Sequence, residues 1–265
     1  EEVIRIFGYS KIPNEAPHIT VMPPAKNQAL HLRRAIRGFF VSQAFQEEVN
    51  LSLLSETLLS KSAFTACDQV LTLQNPINDD YAVLRPFLLP GLLHNLARNQ
   101  LIEMKDWKSF ELGKVFSKQG DQVREQLALM AVYSTRDKSF YQLKGVIERF
   151  FKDMKISCSW APSAPSFAYP GRSVTALAGD TAVGTLAEIH PQILDSFKIH
   201  GSVSVFEAFV QDLSVAPKGS SMVQPLNRNP EALLDLSILV DETLPLATVE
   251  QQIRSIEGAW LKELK

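Results

Sequence analysis

The chain has 265 residues, of which 45% are hydrophobic and 21% are charged, and its formal net charge is −2. This composition fits a folded protein with one large core, or a core plus a smaller module, and excludes an intrinsically disordered chain. Its apolar runs are far shorter than the roughly 20 residues that cross a bilayer, so we expect no membrane partner and a cytoplasmic location.

Cysteine content and charge narrow the function classes further. Cys67 and Cys158 are too few for a disulfide framework and lack the spacing of a metal knuckle, so we interpret both as idle thiols. With a net charge of −2, contact with nucleic acid requires a local basic patch. A stand-alone RNA-binding module is therefore an alternative that the composition disfavours.

The first elements are a short helix and a linker. Apolar residues recur at helical spacing from Val3 to Phe7, and Gly8 follows as a helix stop. Prolines in residues 16–25 favour extended backbone and predict a linker. We interpret residues 1–15 as the end of a preceding domain.

Residues 26–219 are predicted to form the core, which begins with an amphipathic helix. Its apolar positions recur at spacings of three and four, at Leu32, Ile36, Phe39 and Phe40. This stripe can face the core or a partner. The arginines between these positions, Arg33, Arg34 and Arg37, can contact phosphates or acidic groups, or can simply be solvated.

Alternating apolar residues predict strands through most of the remaining core. One strand is predicted directly after the first helix, beyond Phe45, with Val49, Leu51 and Leu53 on one side, and further strands are predicted at 108–115, 127–133, 174–178, 182–189 and 203–209. Gly179-Asp180 predicts a tight turn between two of them. Ser139 and Gln142 match a capping box at the start of a second helix, and Pro191 favours the start of a third. A largely antiparallel sheet flanked by helices is an α+β fold.

The last segment, residues 220–265, contains signals for one strand and one helix. Leu234, Leu236, Ile238 and Val240 alternate as in a half-buried strand, and an amphipathic helix is predicted within 249–256. One strand and one helix cannot bury both of their apolar faces, so this segment is interpreted as half a domain and the chain as cut at both ends. The alternative is a small extension that docks on the core.

The order of several short motifs resembles the β subunit of bacterial phenylalanine–tRNA ligases. The most specific stretch contains Asn75-Pro76, Val83-Leu84-Arg85, Pro90-Gly91 and the segment 110–116 with Glu111. Further motifs follow in family order: Gly171-Arg172, Gly184, Glu188 and His190-Pro191. The match covers nearly the whole chain and implies the C-terminal portion of the subunit.

This resemblance implies a fold and a role. Residues 26–219 correspond to a catalytic-like module that is similar to class II synthetase domains but has lost their chemistry. Residues 220–265 correspond to the start of a ferredoxin-like anticodon-binding domain, truncated here. In the family, the α subunit activates phenylalanine, and an α₂β₂ heterotetramer charges tRNA(Phe) using ATP. The implied role of this chain is structural and tRNA-positioning.

The residues agree with a loss of catalysis. Adenylate formation concentrates negative charge on a phosphate, so class II sites supply arginines on the sheet. The segment with Glu111 lacks an arginine two positions ahead of the acid, and no glycine-rich phosphate cradle is present. We assign no catalytic residue. The alternative is an independent ATP-dependent ligase, in which Arg85, Glu111 and either Arg124 or Arg136 form an unconventional phosphate site.

The resemblance also implies two subunit contacts. Arg85 matches an arginine that both subunits carry ahead of a core helix, so it is a candidate interface residue; the alternative is a structural ion pair. The helix with Leu32, Ile36 and Phe39 corresponds to the dimer-forming motif. Its stripe is therefore a candidate interface, expected to be exposed when the α subunit is absent.

Metal binding is expected only in the full assembly. Glu1 and Glu2 match the last two members of a family acidic cluster that is expected to bind magnesium, and the other acids would precede this chain. Two adjacent glutamates on a helix point about 100° apart, so we expect no metal bound to this chain alone. The histidines are scattered and receive no metal or nucleophile role. The pairs Glu47-Glu48 and Asp79-Asp80 are interpreted as solvated.

Overall fold

The computed structural model describes residues 1–16, 20, 22, 25–62, 70–100, 106–120, 122–219, 232–241, 244–257 and 261. The chain divides into two units, Glu1–Ser221 and Met222–Lys265. Cys67, the linker prolines Pro17, Pro23 and Pro24, and the beginning of the segment 220–265 lie outside the described residues.

Eight α-helices lie in the described parts of the chain. They are α1 Glu2–Phe7, α2 Gln28–Ser42, α3 Glu56–Lys61, α4 Leu89–Gln100, α5 Ser139–Asp153, α6 Pro191–Phe197, α7 Val210–Val215 and α8 Leu246–Glu257. Asn27 caps α2 by accepting a hydrogen bond from the Leu30 amide at 3.0 Å. The predicted helices starting before Leu32, at Ser139 and at Pro191 are confirmed as α2, α5 and α6.

Ten strands in the described residues form two sheets. They are β1 Gln46–Glu47, β2 Leu53–Leu54, β3 Leu71–Thr72, β4 Val83–Leu84, β5 Trp107–Gln119, β6 Gln122–Thr135, β7 Ser159–Pro162, β8 Ala168–Ala178, β9 Thr181–Ile189 and β10 Ser202–Phe209. The large sheet has the order β1-β5-β6-β10-β9-β8-β7, and the small sheet has the order β2-β4-β3. Among the strands that the structure describes, only β1 pairs in parallel, with β5, so the prediction of a largely antiparallel sheet is confirmed.

Helices cover both faces of the large sheet. On one face, α2, α5 and α7 supply a core in which the Phe40 ring stacks on Phe110 at 5.2 Å between centroids. On the other face, α3, α4 and α6 pack their apolar side chains over Met130, Val132 and Val205. Because each face has a helical layer, the central strands are apolar on both sides.

The strand predicted after Phe45 is confirmed only in two short pieces, β1 and β2, and is wrong between them. Val49 is 91% exposed and Leu51 is 64% exposed, and regular pairing resumes only at β2. The reason is that the backbone amide of Asn50 donates to the side chain of Glu111 at 3.3 Å and does not join a neighbouring strand. Apolar alternation here does not mark a sheet.

The predicted capping box at the start of α5 is also wrong. The residue before the helix is Lys138, which has a left-handed backbone and makes no capping side-chain bond. Ser139 Oγ instead lies 2.6 Å from Ser202 Oγ and 2.7 Å from Ser204 Oγ. Gln142 accepts a hydrogen bond from the Tyr133 hydroxyl. Both side chains therefore join the helix to the sheet.

In the second unit, the predicted helix is confirmed as α8, but the predicted strand is absent from residues 232–241. Leu234 is 91% exposed and has no regular secondary structure. Strand alternation requires a neighbouring strand to supply backbone partners, and the described part of this unit offers none. Across the described residues, every helix is too short or too polar to span a bilayer.

Substitutions at two glycines can test how tightly the side chains pack around β9 and α5. A Cβ on Gly184 would lie 2.5 Å from the Phe206 ring and 2.9 Å from the Glu207 carbonyl oxygen, whereas a Cβ on Gly145 in α5 meets nothing within 4 Å. We expect Gly184→Ala to lower the free energy of unfolding by about 1–3 kcal/mol through overpacking. We expect the control Gly145→Ala to raise it by about 0.5–1 kcal/mol. Urea unfolding measures both, and equal effects would contradict this packing.

Candidate functional site

A buried ion pair lies at the junction of the two sheets. Arg85, directly after β4, donates from Nη1 to Glu111 Oε1 of β5 at 2.6 Å. Arg85 is 4% exposed and Glu111 is 2% exposed. Arg85 Nε also donates to the Lys114 carbonyl oxygen at 2.9 Å, and the Phe116 amide donates to the Arg85 carbonyl oxygen at 2.9 Å. The guanidinium is thus held by side chain and backbone together.

Two asparagines and a second glutamate extend this pair into a network. Asn50 Nδ2 donates to Glu111 Oε2 at 2.7 Å. Asn95 Nδ2, from α4, donates to Asn50 Oδ1 at 2.8 Å and to Glu48 Oε2 at 2.5 Å. Gly91 of α4 allows this approach, because a Cβ there would lie 3.1 Å from Asn50 Cγ. The network joins the segment after β1, the helix α4 and the strand β5.

The environment of Glu48 corrects one prediction. Burial raises the pKa of the Glu48 carboxyl, the hydrogen bond from Asn95 opposes this change, and the charge of Glu111 adds to it. Glu48 is therefore part of a buried network, and its interpretation as a solvated carboxylate is wrong. Arg85 contacts Glu111 and not Glu48, so the guanidinium neutralises only one of the two carboxylates directly.

The arrangement leaves Arg85 unable to bind a phosphate. Its guanidinium lies over Gly113, where a Cβ would collide with Arg85 Nη2 and lie 2.9 Å from Glu111 Oε1. Of the two interpretations of Arg85, a subunit contact or a structural ion pair, the burial of the residue and its pairing with Glu111 favour the structural ion pair. A buried guanidinium neutralised by a carboxylate cannot stabilise charge on a nucleotide without breaking the pair.

The alternative phosphate site does not assemble. Glu111 lies opposite Met130 of β6. Arg124 and Arg136 are each six residues from Met130, in opposite directions, which is roughly 20 Å along a strand, so neither lies beside Glu111. Arg124, opposite Ser117, is nearer to Arg85, but the Arg85 guanidinium is already paired with Glu111, so the structure does not support an independent ATP-dependent ligase.

A second, partly buried carboxylate lies on the same sheet face. Glu207 of β10 is opposite both Met130 of β6 and Thr185 of β9, in the cross-strand row that also contains Glu111. Residues directly opposite each other point to the same face. Burial raises the pKa of the Glu207 carboxyl to about 7. Sequence analysis did not single out this residue, although an acid within an apolar alternating strand is an informative signal.

Several motif residues meet at a cavity of about 850 Å³ at the ends of β6, β8, β9 and β10; its lining includes Gly171, Arg172, Glu188 and Pro191. Arg172 Nη1 donates to both Glu188 oxygens, at 3.0 and 2.9 Å, and this interaction raises the pKa of Arg172.

The Arg172 guanidinium also contacts an aromatic ring, at 5.1 Å from the Tyr169 ring centroid, and the Tyr169 ring lies 5.9 Å from the His190 ring. His190 Nδ1 accepts a hydrogen bond from the Gln192 amide, so this histidine caps α6.

The other motif residues have structural surroundings. Pro90 is buried in α4. Asn75 and Pro76 are exposed in the loop that follows β3. The sequence order of the motifs therefore corresponds to two spatial groups, one around Glu111 and Gly91 and one around Arg172 and Glu188.

The predicted interface on α2 needs correction. Ile36 is 0% exposed and Phe39 is 6% exposed, and both pack in the core of this chain together with the partly buried Leu32. The expectation that the stripe is exposed without a partner is therefore wrong for Ile36 and Phe39. The Phe39 ring lies 5.2 Å from Phe150 of α5, so α5 covers the stripe.

Glu1 and Glu2 do not form a metal site with the residues present. The Glu2 carboxylate pairs with Arg5, three residues along α1, and both side chains are exposed. Within the described ranges, no group of three or more His, Cys, Asp or Glu side chains is placed to hold a metal ion. A magnesium ligand set would need acids from outside these residues.

Comparisons with known proteins identify relatives across the chain. The family model described as the phenylalanyl tRNA synthetase β chain CLM domain matches residues 12–210. The phenylalanine–tRNA ligase β subunit of Geobacter sulfurreducens is 30% identical, with 100% of this chain and 35% of that protein covered. The same subunit of Xanthomonas campestris is also 30% identical over 100% of this chain and 35% of its own length. The chain thus spans about a third of the length of these relatives.

Solved structures agree on the fold. The pyrrolysyl tRNA synthetase of Desulfitobacterium hafniense superimposes with a TM-score of 0.59 at 19% identity, covering 70% of this chain and 65% of that one. A second structure of this enzyme gives a TM-score of 0.59 at 18% identity, with coverage of 70% and 68%. The predicted α+β fold with a synthetase-like sheet is confirmed.

The Arg85–Glu111 pair predicts a strongly non-additive double-mutant cycle. We expect Arg85→Ala or Glu111→Ala alone to lower the free energy of unfolding by about 3–5 kcal/mol, because each leaves a buried charge unpaired. The double variant should lose clearly less than the sum, with a coupling of about 2 kcal/mol or more. Urea unfolding of the four proteins measures the coupling, and additive losses would show that the two charges do not interact.

Glu207 predicts a change of stability with pH. Its folded pKa of about 7 lies above the ordinary value of 4.5, so the folded chain holds the proton more tightly than the unfolded chain. The free energy of unfolding should therefore fall as pH rises from about 4.5 to about 7, by on the order of 2 kcal/mol from this group. Glu207→Gln should reduce this decrease in the free energy of unfolding. The decrease that remains would come from Glu48.

The control for this experiment is Glu125→Gln, which removes an exposed carboxylate that pairs with Lys114. It should leave the pH dependence of the urea midpoint unchanged. If Glu207→Gln and Glu125→Gln give the same slope as the unmodified chain, Glu207 does not titrate in this range.

Proposed function

The chain belongs to the phenylalanyl-tRNA synthetase β-chain family, and on this premise we propose that it is a non-catalytic, structural and tRNA-positioning part of a phenylalanine–tRNA ligase. The holoenzyme is an α₂β₂ heterotetramer that charges tRNA(Phe) with phenylalanine using ATP. It works in the cytoplasm, and magnesium belongs to the full assembly. The α subunit supplies the chemistry, and this chain supplies a scaffold.

The Arg85–Glu111 pair is the observation that carries this proposal. On the synthetase-like sheet, the one arginine that packs against the strand glutamate is buried and neutralised at 2.6 Å. Transition-state stabilisation on a phosphate requires a preorganised donor that is free to face the ligand. Arg85 is committed to fold stability, which fits a module that keeps the fold of a synthetase without its reaction.

The proposed organisation follows the same reasoning. Residues 1–15 end a preceding domain, and residues 16–25 form a linker. Residues 26–219 form the catalytic-like module. Residues 220–265 begin a ferredoxin-like anticodon-binding domain, a role supported by the amphipathic helix α8 and by exposed apolar residues such as Leu234 and Leu239.

The α subunit is proposed to contact the outer side of α2. Leu30, Arg34 and Val41 share one stripe of this helix, because steps of four and seven residues return to nearly the same direction. Leu30 is 39% exposed and Val41 is 58% exposed. This stripe lies away from Ile36 and Phe39, which the core of the chain already covers.

We expect the chain and the α subunit of the matching ligase to form a stable stoichiometric complex, detected by size-exclusion chromatography with light scattering. Leu30→Asp combined with Val41→Asp should weaken the complex at least tenfold, because burying two carboxylates at an interface without partners is unfavourable. Val123→Asp changes a residue that is 61% exposed on β6 and serves as the control.

Two outcomes would contradict the proposal. The first is an unmodified chain that does not associate with the α subunit. The second is a calorimetric titration in which the chain alone binds ATP with millimolar or tighter affinity, since this would restore an ATP-using role. If Val123→Asp weakens the complex with the α subunit as much as the α2 variant does, the α subunit does not bind specifically at α2.

A further inference from the structure

A groove of about 520 Å³ lies at the end of α5, beside the edge strand β7. Its lining includes Phe151, Lys152, Lys155, Ile156, Cys158 and Trp160. None of these residues belongs to the motifs or to the networks described above. The groove combines one large aromatic side chain with cationic side chains at its rim.

Trp160 is held in place on three sides. Its Nε1 donates to Glu148 Oε1 at 3.1 Å, and Lys144 Nζ lies 5.4 Å from its ring centroid. Its ring packs edge-on against the buried Phe151, with 6.3 Å between the centroids. An indole that is fixed before binding loses little entropy when a flat ligand stacks on it.

Positively charged side chains outnumber negatively charged ones around Trp160. Glu148 is neutralised by Lys144 at 2.5 Å. Lys152 and Lys155 line the groove and make no ion pair with any residue that the structure describes. The remaining acid nearby is Asp153, which is exposed on α5. A chain with a net charge of −2 therefore has a local surplus of positive charge here.

Lys218 joins this group through the backbone. Ile156 and Lys218 form an antiparallel bridge, and the Gly219 amide donates to the Lys155 carbonyl oxygen at 2.7 Å. Lysines near a helix C-terminus also offset the helix dipole, and this accounts for Lys152. It does not account for Lys218, which is distant in sequence, nor for the aromatic groove between them.

Cys158 adds no charge to the groove. Burial raises the pKa of its thiol to about 11, so the thiol is neutral near pH 7. An anionic ligand therefore meets no thiolate, and the side chain contributes apolar surface beside Trp160. Phosphates need cations at the rim and a base needs an uncharged wall, and this groove supplies both.

From these features we propose that the groove binds single-stranded RNA, with one base stacked on Trp160 and the flanking phosphates contacting Lys152, Lys155 and Lys218. Stacking on an aromatic side chain beside a cationic track is a sequence-tolerant way to hold a single strand. The inference deepens the proposed function, on which it rests for the identity of the natural RNA as tRNA.

Fluorescence anisotropy of the full 265-residue chain with fluorescein-labelled octaadenylate tests the cationic rim. Lys152→Ala with Lys155→Ala should weaken binding at least tenfold. It should also reduce the slope of log affinity against log salt by about 1.4, since each contact to a single-strand phosphate contributes about 0.7. The matched control, Arg136→Ala with Lys138→Ala, removes the same charge just before the other end of α5 and should leave binding unchanged.

Intrinsic tryptophan fluorescence tests the stacking. Octaadenylate should quench the unmodified chain and should not quench Trp160→Phe, which keeps a ring against Phe151. The inference is overturned if the unmodified chain does not bind octaadenylate or if both double variants weaken binding equally. Equal affinity for polyglutamate, or quenching that persists in Trp160→Phe, would also overturn it. The unmodified chain and all these variants should associate with the α subunit, and failure of the unmodified chain to associate would instead count against the proposed function.

Discussion

The structure depends on one constraint, the burial of charge between the two sheets. Arg85 and Glu111 are almost completely shielded from water and lie 2.6 Å apart. Removing two ions from water is costly, and the cost is offset only when geometry and additional hydrogen bonds are both favourable. Asn50 and the Lys114 carbonyl oxygen supply those bonds. The segment after β1, the end of β4 and the strand β5 are therefore held in one relative arrangement.

The burial of charge also fits the structural role that is proposed for the large sheet. The cross-strand row of Glu111, Met130, Glu207 and Thr185 carries two acids, and the nearby arginine already has a carboxylate partner. Because Arg85 is already neutralised by Glu111, it offers no free positive charge to a phosphate. Helices α3, α4 and α6 then cover the face that carries this row with apolar side chains. The chain keeps the synthetase-like fold, and its own apolar side chains cover this face of the sheet.

The sequence predicts most of the large sheet because β5, β6, β8, β9 and β10 are long and rich in apolar residues. The helices α2 and α5 are equally clear from their periodicity. The prediction fails between β1 and β2, where Glu111 binds Asn50 from 61 residues away. It also fails at Ser139, which bonds to β10 and does not cap its helix. Both errors come from contacts between residues distant in sequence, which local patterns cannot contain.

The sequence predicts only part of the candidate site, because the rest is formed by contacts between residues that are distant in sequence. Arg85 and Glu111 stand out through their motifs, but Asn50, Asn95 and Glu48 look like ordinary loop and helix residues until the chain is folded. Glu207 is the exception, because a lone acid in an apolar strand is visible in the sequence and its raised pKa follows from burial.

The buried network also determines how the chain presents α2. This helix leads directly into β1, whose register on β5 places Glu47 opposite Phe110, the neighbour of Glu111. The Glu48 amide donates to the Phe110 carbonyl oxygen at 2.8 Å, and Arg37 Nε of α2 donates to Glu47 Oε1 at 2.6 Å. Since β1 has only two residues, its own ladder is too short to fix the helix. The side-chain bonds to Glu111 and Glu47 supply that rigidity, so the buried ion pair sets the direction of the proposed interface.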